Sequence, residues 1–210
     1  MSLPARLRDY RTAAQALAAA DAVMAELVAA HGWPALRRPS GTPFEALARA
    51  IVFQQLAGAA ATAIWGRLCA LAGEGEPLTP AVVLAASDEA LRAVGLSANK
   101  AASVRDLAAR TARGELRLGR LGGVADEEVI ARLTTVRGIG VWSAQMFLMF
   151  QLRRLDVWPV LDLGVRNGYG RAYGLAAPPT PKELEVVGER FRPHRSVAAW
   201  YCWRAAETVL

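Results

Sequence analysis

The chain is 210 residues long, 53% hydrophobic and 21% charged, with a formal net charge of +6 and a sequence pI near 10.0. This composition excludes a disordered chain and a disulfide-stapled mini-protein, and no apolar run is long enough to cross a bilayer. The excess charge is carried mostly by arginine and is compatible with a polyanionic partner.

The length allows one domain or two small ones, with ample residues for a core. The Ala-rich runs favour helix over strand, so an all-α chain is expected. The two cysteines, Cys69 and Cys202, are far apart and show no metal-ligand spacing, which reads as two buried thiols in a reducing compartment. No signal peptide precedes them, and a cytoplasmic protein is expected.

Residues 5–30 carry apolar positions at helical spacing and read as one or two amphipathic helices, ended by His31-Gly-Trp-Pro34. Trp33 and Trp65 read as core tryptophans. The basic stretch Leu36–Gly41 is a loop whose Arg37 and Arg38 are solvated or touch phosphate. Thr42-Pro-Phe-Glu45 is a capping box with proline at the first helical position, so a helix starts there and runs to Gln54. A second helix is expected over about 59–71, and on residue character alone Leu56 at the junction reads as a buried contact between the two. Short helices are expected at about 80–85 and 88–94, then a long one over about 98–113. Lys100, one of two lysines, is an exposed helix charge or a phosphate contact on this reading. Residues 114–123 form a connector.

The most informative stretch is Leu133–Asp162. Its Gly138-Ile-Gly140 suits a tight hairpin between a helix over about 126–132 and another over about 141–151, because glycine enters positive φ without a Cβ penalty. Backbone amides at the start of the second helix can converge on an anion. Asp162 follows as the only acidic residue between Asp156 and Glu183. A loop that grips an anion, followed by a lone carboxylate, points to a protein that holds a phosphodiester and does chemistry beside it. Thr180-Pro-Lys-Glu183 is a second capping box and opens a helix over about 181–190.

Leu133–Ala144 resembles the helix-hairpin-helix of the DNA glycosylase superfamily, and Asp156–Val165 resembles its catalytic-aspartate segment. Gly95–Ala101 and Phe191–Trp203 are also similar to that superfamily, most of all to its 3-methyladenine DNA glycosylase II group. The resemblance covers roughly residues 40–205. It implies a two-lobed helical fold with the base pocket between the lobes, one lobe at about 40–115 and the other at 1–39 with 116–210. It further implies that Gln54-Gln55-Leu56 inserts an apolar wedge where a nucleotide has been extruded, since the gap otherwise re-stacks. The family often places a hydroxyl residue after this leucine, where Ala57-Gly58 stands here.

Asp162 matches the catalytic carboxylate, and Trp142 and Trp203 match the aromatics that line the base pocket. Members that also cleave the backbone carry a lysine at the position of Trp142, which attacks the sugar and forms a Schiff base. A tryptophan cannot, but its π face suits a cationic base. Relatives often place an acid just before the catalytic aspartate, where this chain has Leu161. Gly138, Ile139 and Gly140, with Gln55 and Leu56, match DNA-contacting positions. A monovalent cation is implied at the carbonyls of Thr134, Val136 and Ile139. An iron–sulfur cluster, held in some relatives by four C-terminal cysteines, is not expected, because only Cys202 stands there. The mixed α/β N-terminal domain of larger bacterial relatives is likewise not expected ahead of Thr42.

Arg195 and Ser196 read as a structural ion pair or cap. His194, with no second histidine or cysteine near it, makes no metal site. The implied activity is monofunctional: base flipping and hydrolysis of the N-glycosidic bond of an alkylated base in double-stranded DNA. The implied protein is a monomer associated with the nucleoid, without a membrane. A bifunctional glycosylase/lyase and a non-catalytic binder of DNA structure are the alternatives.

Overall fold

The computed structural model describes residues 5–34, 41–56 and 58–207. Arg37 and Arg38 of the basic loop, and Ala57 after the wedge leucine, lie outside the described residues. In chain order the helices are α1 (Ala5–Ala20), α2 (Ala22–His31), α3 (Pro43–Phe53), α4 (Gly58–Ala70), α5 (Pro80–Ala85) and α6 (Asp88–Ala93). They continue with α7 (Ala98–Ala112), α8 (Asp126–Thr134), α9 (Val141–Met146), α10 (Leu163–Ala172), α11 (Pro181–Gly188) and α12 (Arg195–Glu207). A 3₁₀ turn occupies Leu118–Gly123 within the expected connector, another covers Glu189–Phe191, and α9 runs on as a π-helical turn over Phe147–Gln151. No strand occurs among the described residues, and the all-α expectation stands.

Both capping boxes form. Thr42 Oγ1 accepts from Glu45 N at 3.2 Å while Glu45 Oε2 accepts from Thr42 N at 2.6 Å. The same glutamate's Oε1 takes the Leu78 amide at 3.0 Å, so this cap also pins the approach to α5. Thr180 and Glu183 repeat the arrangement at α11. Each such cap stabilises its helix by about 1 kcal/mol.

The chain divides into two compact units, one within Met1–Arg37 and Arg153–Leu210, the other within Arg38–Leu152. Residues 116–152, and with them the helix-hairpin-helix, fall in the second unit, where α7 holds the hairpin through side chains described below.

Within the 38–152 unit, α3 buries Phe44, Leu47, Ala48, Ile51 and Val52, an i, i+3, i+4, i+7, i+8 stripe. Helix α7 buries Ala101, Val104, Leu107 and Ala108. Within the other unit, α10 and α12 cross so closely that a Cβ on Gly168 would fall 1.7 Å from the Cys202 carbonyl oxygen. Only glycine permits that approach. Burial pushes the Cys202 thiol pKa up to about 12, so it is a packing residue and not a nucleophile. Trp33 departs from its expected core role: it is 44% exposed, with the Arg11 guanidinium 4.7 Å from its ring centroid.

Candidate functional site

The hairpin between α8 and α9 is built as the Gly-Ile-Gly pattern predicts in one respect and not in another. Gly138 sits at φ +76°, where a side chain would be strained, and an added Cβ would lie 2.6 Å from Ser103 Oγ. Gly140 does not need glycine for its backbone: it is extended, at φ −96° and ψ 177°, with open space where a Cβ would point. The expectation that both glycines serve positive φ is therefore corrected for Gly140. Ile139 and Val136 point inward and are buried, and the Ile139 amide donates to the Val136 carbonyl at 3.1 Å.

Helix α7 is the mount for this hairpin. The Arg137 amide donates to Asp106 Oδ2 at 2.9 Å, and the Arg137 guanidinium to Asn99 Oδ1 at 3.1 Å. Burial alone raises the Asp106 pKa, but the Arg137 N–H and the Arg110 guanidinium outweigh it and hold the carboxyl below its ordinary value. Asn99, Ser103 and Asp106 lie at i, i+4 and i+7, one face of α7.

The turn after α3 is fastened to the same parts. Gln54 Nε2 donates to the Gly138 carbonyl at 2.8 Å and to Ser143 Oγ at 3.4 Å. Lys100 Nζ donates to the carbonyls of Val52 and Gln54, each at 2.7 Å. Lys100 is thus not a simple exposed charge but a cation closing the C-terminal end of α3. Burial lowers its pKa from the ordinary lysine value. Gln54, which the sequence offers only as part of the Gln54-Gln55-Leu56 segment, is the residue that ties this turn to the hairpin.

Beyond Gln54 the backbone turns sharply. Gln55 adopts φ +55°, a left-handed conformation that costs a residue with a Cβ about 1–3 kcal/mol and recurs at functional turns. Leu56 follows, 39% exposed, which does not fit a buried contact between helices. The turn thus presents an apolar side chain from a braced, left-handed tip. Trp142, in the first turn of α9, is 41% exposed, so it is not a core residue.

The carboxylate lies in the other unit. Asp162 is the N-cap of α10, 9% exposed, and its Oδ1 accepts from the Val165 amide at 2.8 Å and from the Trp203 indole N–H at 2.9 Å. Gly164 makes the second bond possible: a Cβ there would stand 2.8 Å from Trp203 Cδ1 and 3.1 Å from Asp162 Oδ1. The resemblance implies that Trp203 lines the base pocket, and the structure adds that its polar edge is bonded to the carboxylate. Leu161 and Leu163, flanking Asp162, are 56% and 62% exposed, so apolar surface brackets the acid.

The approach to Asp162 is held by α12. Arg195 grips Asp156 with Nε at 2.8 Å from Oδ1 and NH2 at 3.0 Å from Oδ2, and Arg192 adds 2.7 Å to Oδ2. The Ser196 amide donates to the Leu155 carbonyl at 2.9 Å, and the Val157 amide to Ser196 Oγ at 2.9 Å. Arg195 and Ser196 are structural, as expected, and Asp156 is neutralised by its two arginines.

Residues 48–193 match the family of HhH-GPD superfamily base excision DNA repair proteins. The chain is 37% identical over 166 residues to the DNA-3-methyladenine glycosylase 1 of Schizosaccharomyces pombe, covering 79% of this chain and 73% of that protein. The S. pombe 3-methyladenine DNA glycosylase solved in complex with abasic DNA superposes with a TM-score of 0.82 at 35% identity, over 92% of this chain and 95% of that one. A DNA-3-methyladenine glycosidase from Bacillus halodurans superposes with a TM-score of 0.85 at 36% identity, over 93% and 89%. The chain belongs to the HhH-GPD superfamily of base excision DNA repair proteins.

Proposed function

We propose that this protein is a monofunctional DNA glycosylase that extrudes an alkylated base from duplex DNA and hydrolyses its N-glycosidic bond. One observation carries the reading: the aspartate that matches the family's catalytic carboxylate in sequence is buried and oriented by an amide and an indole N–H. Alkylation at a ring nitrogen makes the base cationic, and it then leaves as a neutral molecule. The deoxyribose passes through an oxocarbenium-like state. The Asp162 carboxylate stabilises that cation and positions the attacking water, and its two donors keep it from rotating as charge develops. Capping α10 and serving the reaction are compatible roles, because both need the side-chain oxygen held in one place.

Trp142 and Trp203 each match an aromatic position of the family's base pocket, and Trp142 stands where a Schiff-base lysine would be required for strand cleavage. The hairpin grips phosphate. With the amides of Arg137 and Ile139 occupied internally, the grip falls to Gly138, Gly140 and the opening turn of α9. The openness around Gly140 gives a phosphate room to approach the backbone. The carbonyls of Thr134, Val136 and Ile139 supply neutral oxygen donors suited to a monovalent cation, and the Val136 oxygen retains a lone pair after accepting from Ile139. Gln55 and Leu56 fill the space of the extruded nucleotide. The protein works as a monomer on chromosomal DNA, and no helix among the described residues is long and apolar enough to cross a membrane. Incubation with duplexes each carrying one alkylated base, followed by chromatography of the released base, tests the reading. Release by the wild-type protein and none by Asp162→Asn is the expected result.

A further inference from the structure

We propose that Gln54 and Lys100 are positioning residues that lock the wedge turn, Gln55–Leu56, to the phosphate-gripping hairpin, so that gripping the backbone and filling the vacated stack occur as a single event. This rests on the functional reading of the two loops given above.

The linkage is direct at each step. The Gln54 side-chain amide holds the Gly138 carbonyl at 2.8 Å, and its backbone carbonyl is held by Lys100 at 2.7 Å. Lys100 projects from α7, the same helix whose Ser103 sits beneath Gly138 and whose Asp106 takes the Arg137 amide. The wedge and the anchor are therefore fastened to one helix and to each other. A left-handed glutamine at the tip persists only where its surroundings over-determine it, and this bracket supplies that constraint. Neither Gln54 nor Lys100 needs to touch DNA to act. Their contribution is to keep the leucine at a fixed offset from the gripped phosphate, without which the wedge would enter the stack out of register.

The test is a double-mutant cycle on Gln54→Leu and Leu56→Ala. Two readouts apply: release of an alkylated base, and fluorescence of 2-aminopurine placed beside an abasic analogue in duplex DNA. For Gln54→Leu, affinity for undamaged duplex should stay within about 2-fold of wild type, while both readouts fall at least about 10-fold. The double variant should be no more than about 3-fold worse than the poorer single, because the two changes remove one device. The base-release rate should recover when the lesion sits in a bulge, where the base is already unstacked. Lys100→Met should give the same pattern, with Lys100→Arg partly restoring it. Gln54→Met replaces Gln54→Leu if the latter melts below the assay temperature. Multiplying losses, a parallel loss of affinity for undamaged duplex, or no recovery at a bulge would each overturn the bracket. If wild type released no base from any lesion, the glycosylase reading would fail, and the aminopurine signal would judge the bracket by itself.

Discussion

The indole N–H of Trp203 lies 2.9 Å from Asp162 Oδ1, the same oxygen that accepts the Val165 amide. Asparagine offers an equivalent oxygen to both donors and is as good an N-cap as aspartate. Asp162→Asn should therefore leave α10 intact and melt within a few degrees of wild type, while base release falls by roughly 10²–10³-fold or more. Affinity for an abasic duplex should be almost unchanged. Release near the wild-type rate would remove Asp162 from the reaction.

Trp203→Phe keeps an aromatic face but loses the N–H. A hydrogen bond to a charged group is worth about 1.5–3 kcal/mol, so kcat for base release should drop roughly 10- to 100-fold. Gly164→Ala should act similarly from the other side, since its methyl would meet Trp203 Cδ1 at 2.8 Å. Alanine otherwise favours a helix, so a stable Gly164→Ala protein with impaired release is the expected result, read by calorimetry alongside single-turnover kinetics.

On the proposed reading, Trp142 decides the reaction product. An indole forms no Schiff base, so the abasic strand should remain uncut until heated in alkali, and borohydride should trap no protein–DNA adduct. A trapped adduct on a denaturing gel would reassign the chain to the lyase-competent members.

The two hairpin glycines should separate in experiment. Gly138→Ala meets both a positive φ and Ser103 Oγ at 2.6 Å, and should cost about 1–3 kcal/mol in chemical denaturation. Gly140→Ala meets neither and should leave stability unchanged. Its effect should appear only as weaker binding, equal on damaged and undamaged duplexes, because phosphate contacts carry no sequence information. Loss confined to damaged DNA would place Gly140 against the base instead.

Asp106 makes the hairpin mount acid-sensitive. Its folded pKa lies below the unfolded value of 3.8, so its contribution to stability is complete above that pH and is lost as pH falls through the depressed folded value. Asp106→Asn should flatten the stability–pH curve below about pH 5 and speed amide exchange at Arg137. A variant whose acid limb matches wild type would show that the Asp106–Arg137 bond contributes little.

Local signals were legible in the letters. Thr42–Glu45 and Thr180–Glu183 announced their helices because a capping box is complete within four residues. The hairpin could be placed between two helices for the same reason, whereas the N-cap role of Asp162 emerges only from the fold. What escaped depends on distant partners. Gln54 reaches across 84 positions to Gly138, and Lys100 reaches back 46 to Gln54. Trp203 reaches 41 positions to Asp162, so its letter announced an aromatic ring and concealed a hydrogen-bond donor. Nor does a glycine letter declare its dihedral: Gly138 and Gly140 look alike in sequence and differ in backbone. The left-handed conformation of Gln55 runs against its residue type and is set by tertiary bracing.

Helix α12 carries Arg195 and Ser196 at one end and Trp203 further along, and these grip the start and the finish of the segment 155–162. It is in effect a ruler with two marks. Inserting or deleting one residue between Ser196 and Trp203 would turn the second mark by about 100° around the helix axis and shift it by about 1.5 Å. The indole would then leave the acid even though every residue type was retained. Length variation should therefore be tolerated in turns such as Gly73–Pro77 and excluded from this interval, which is locked in spacing as well as in composition.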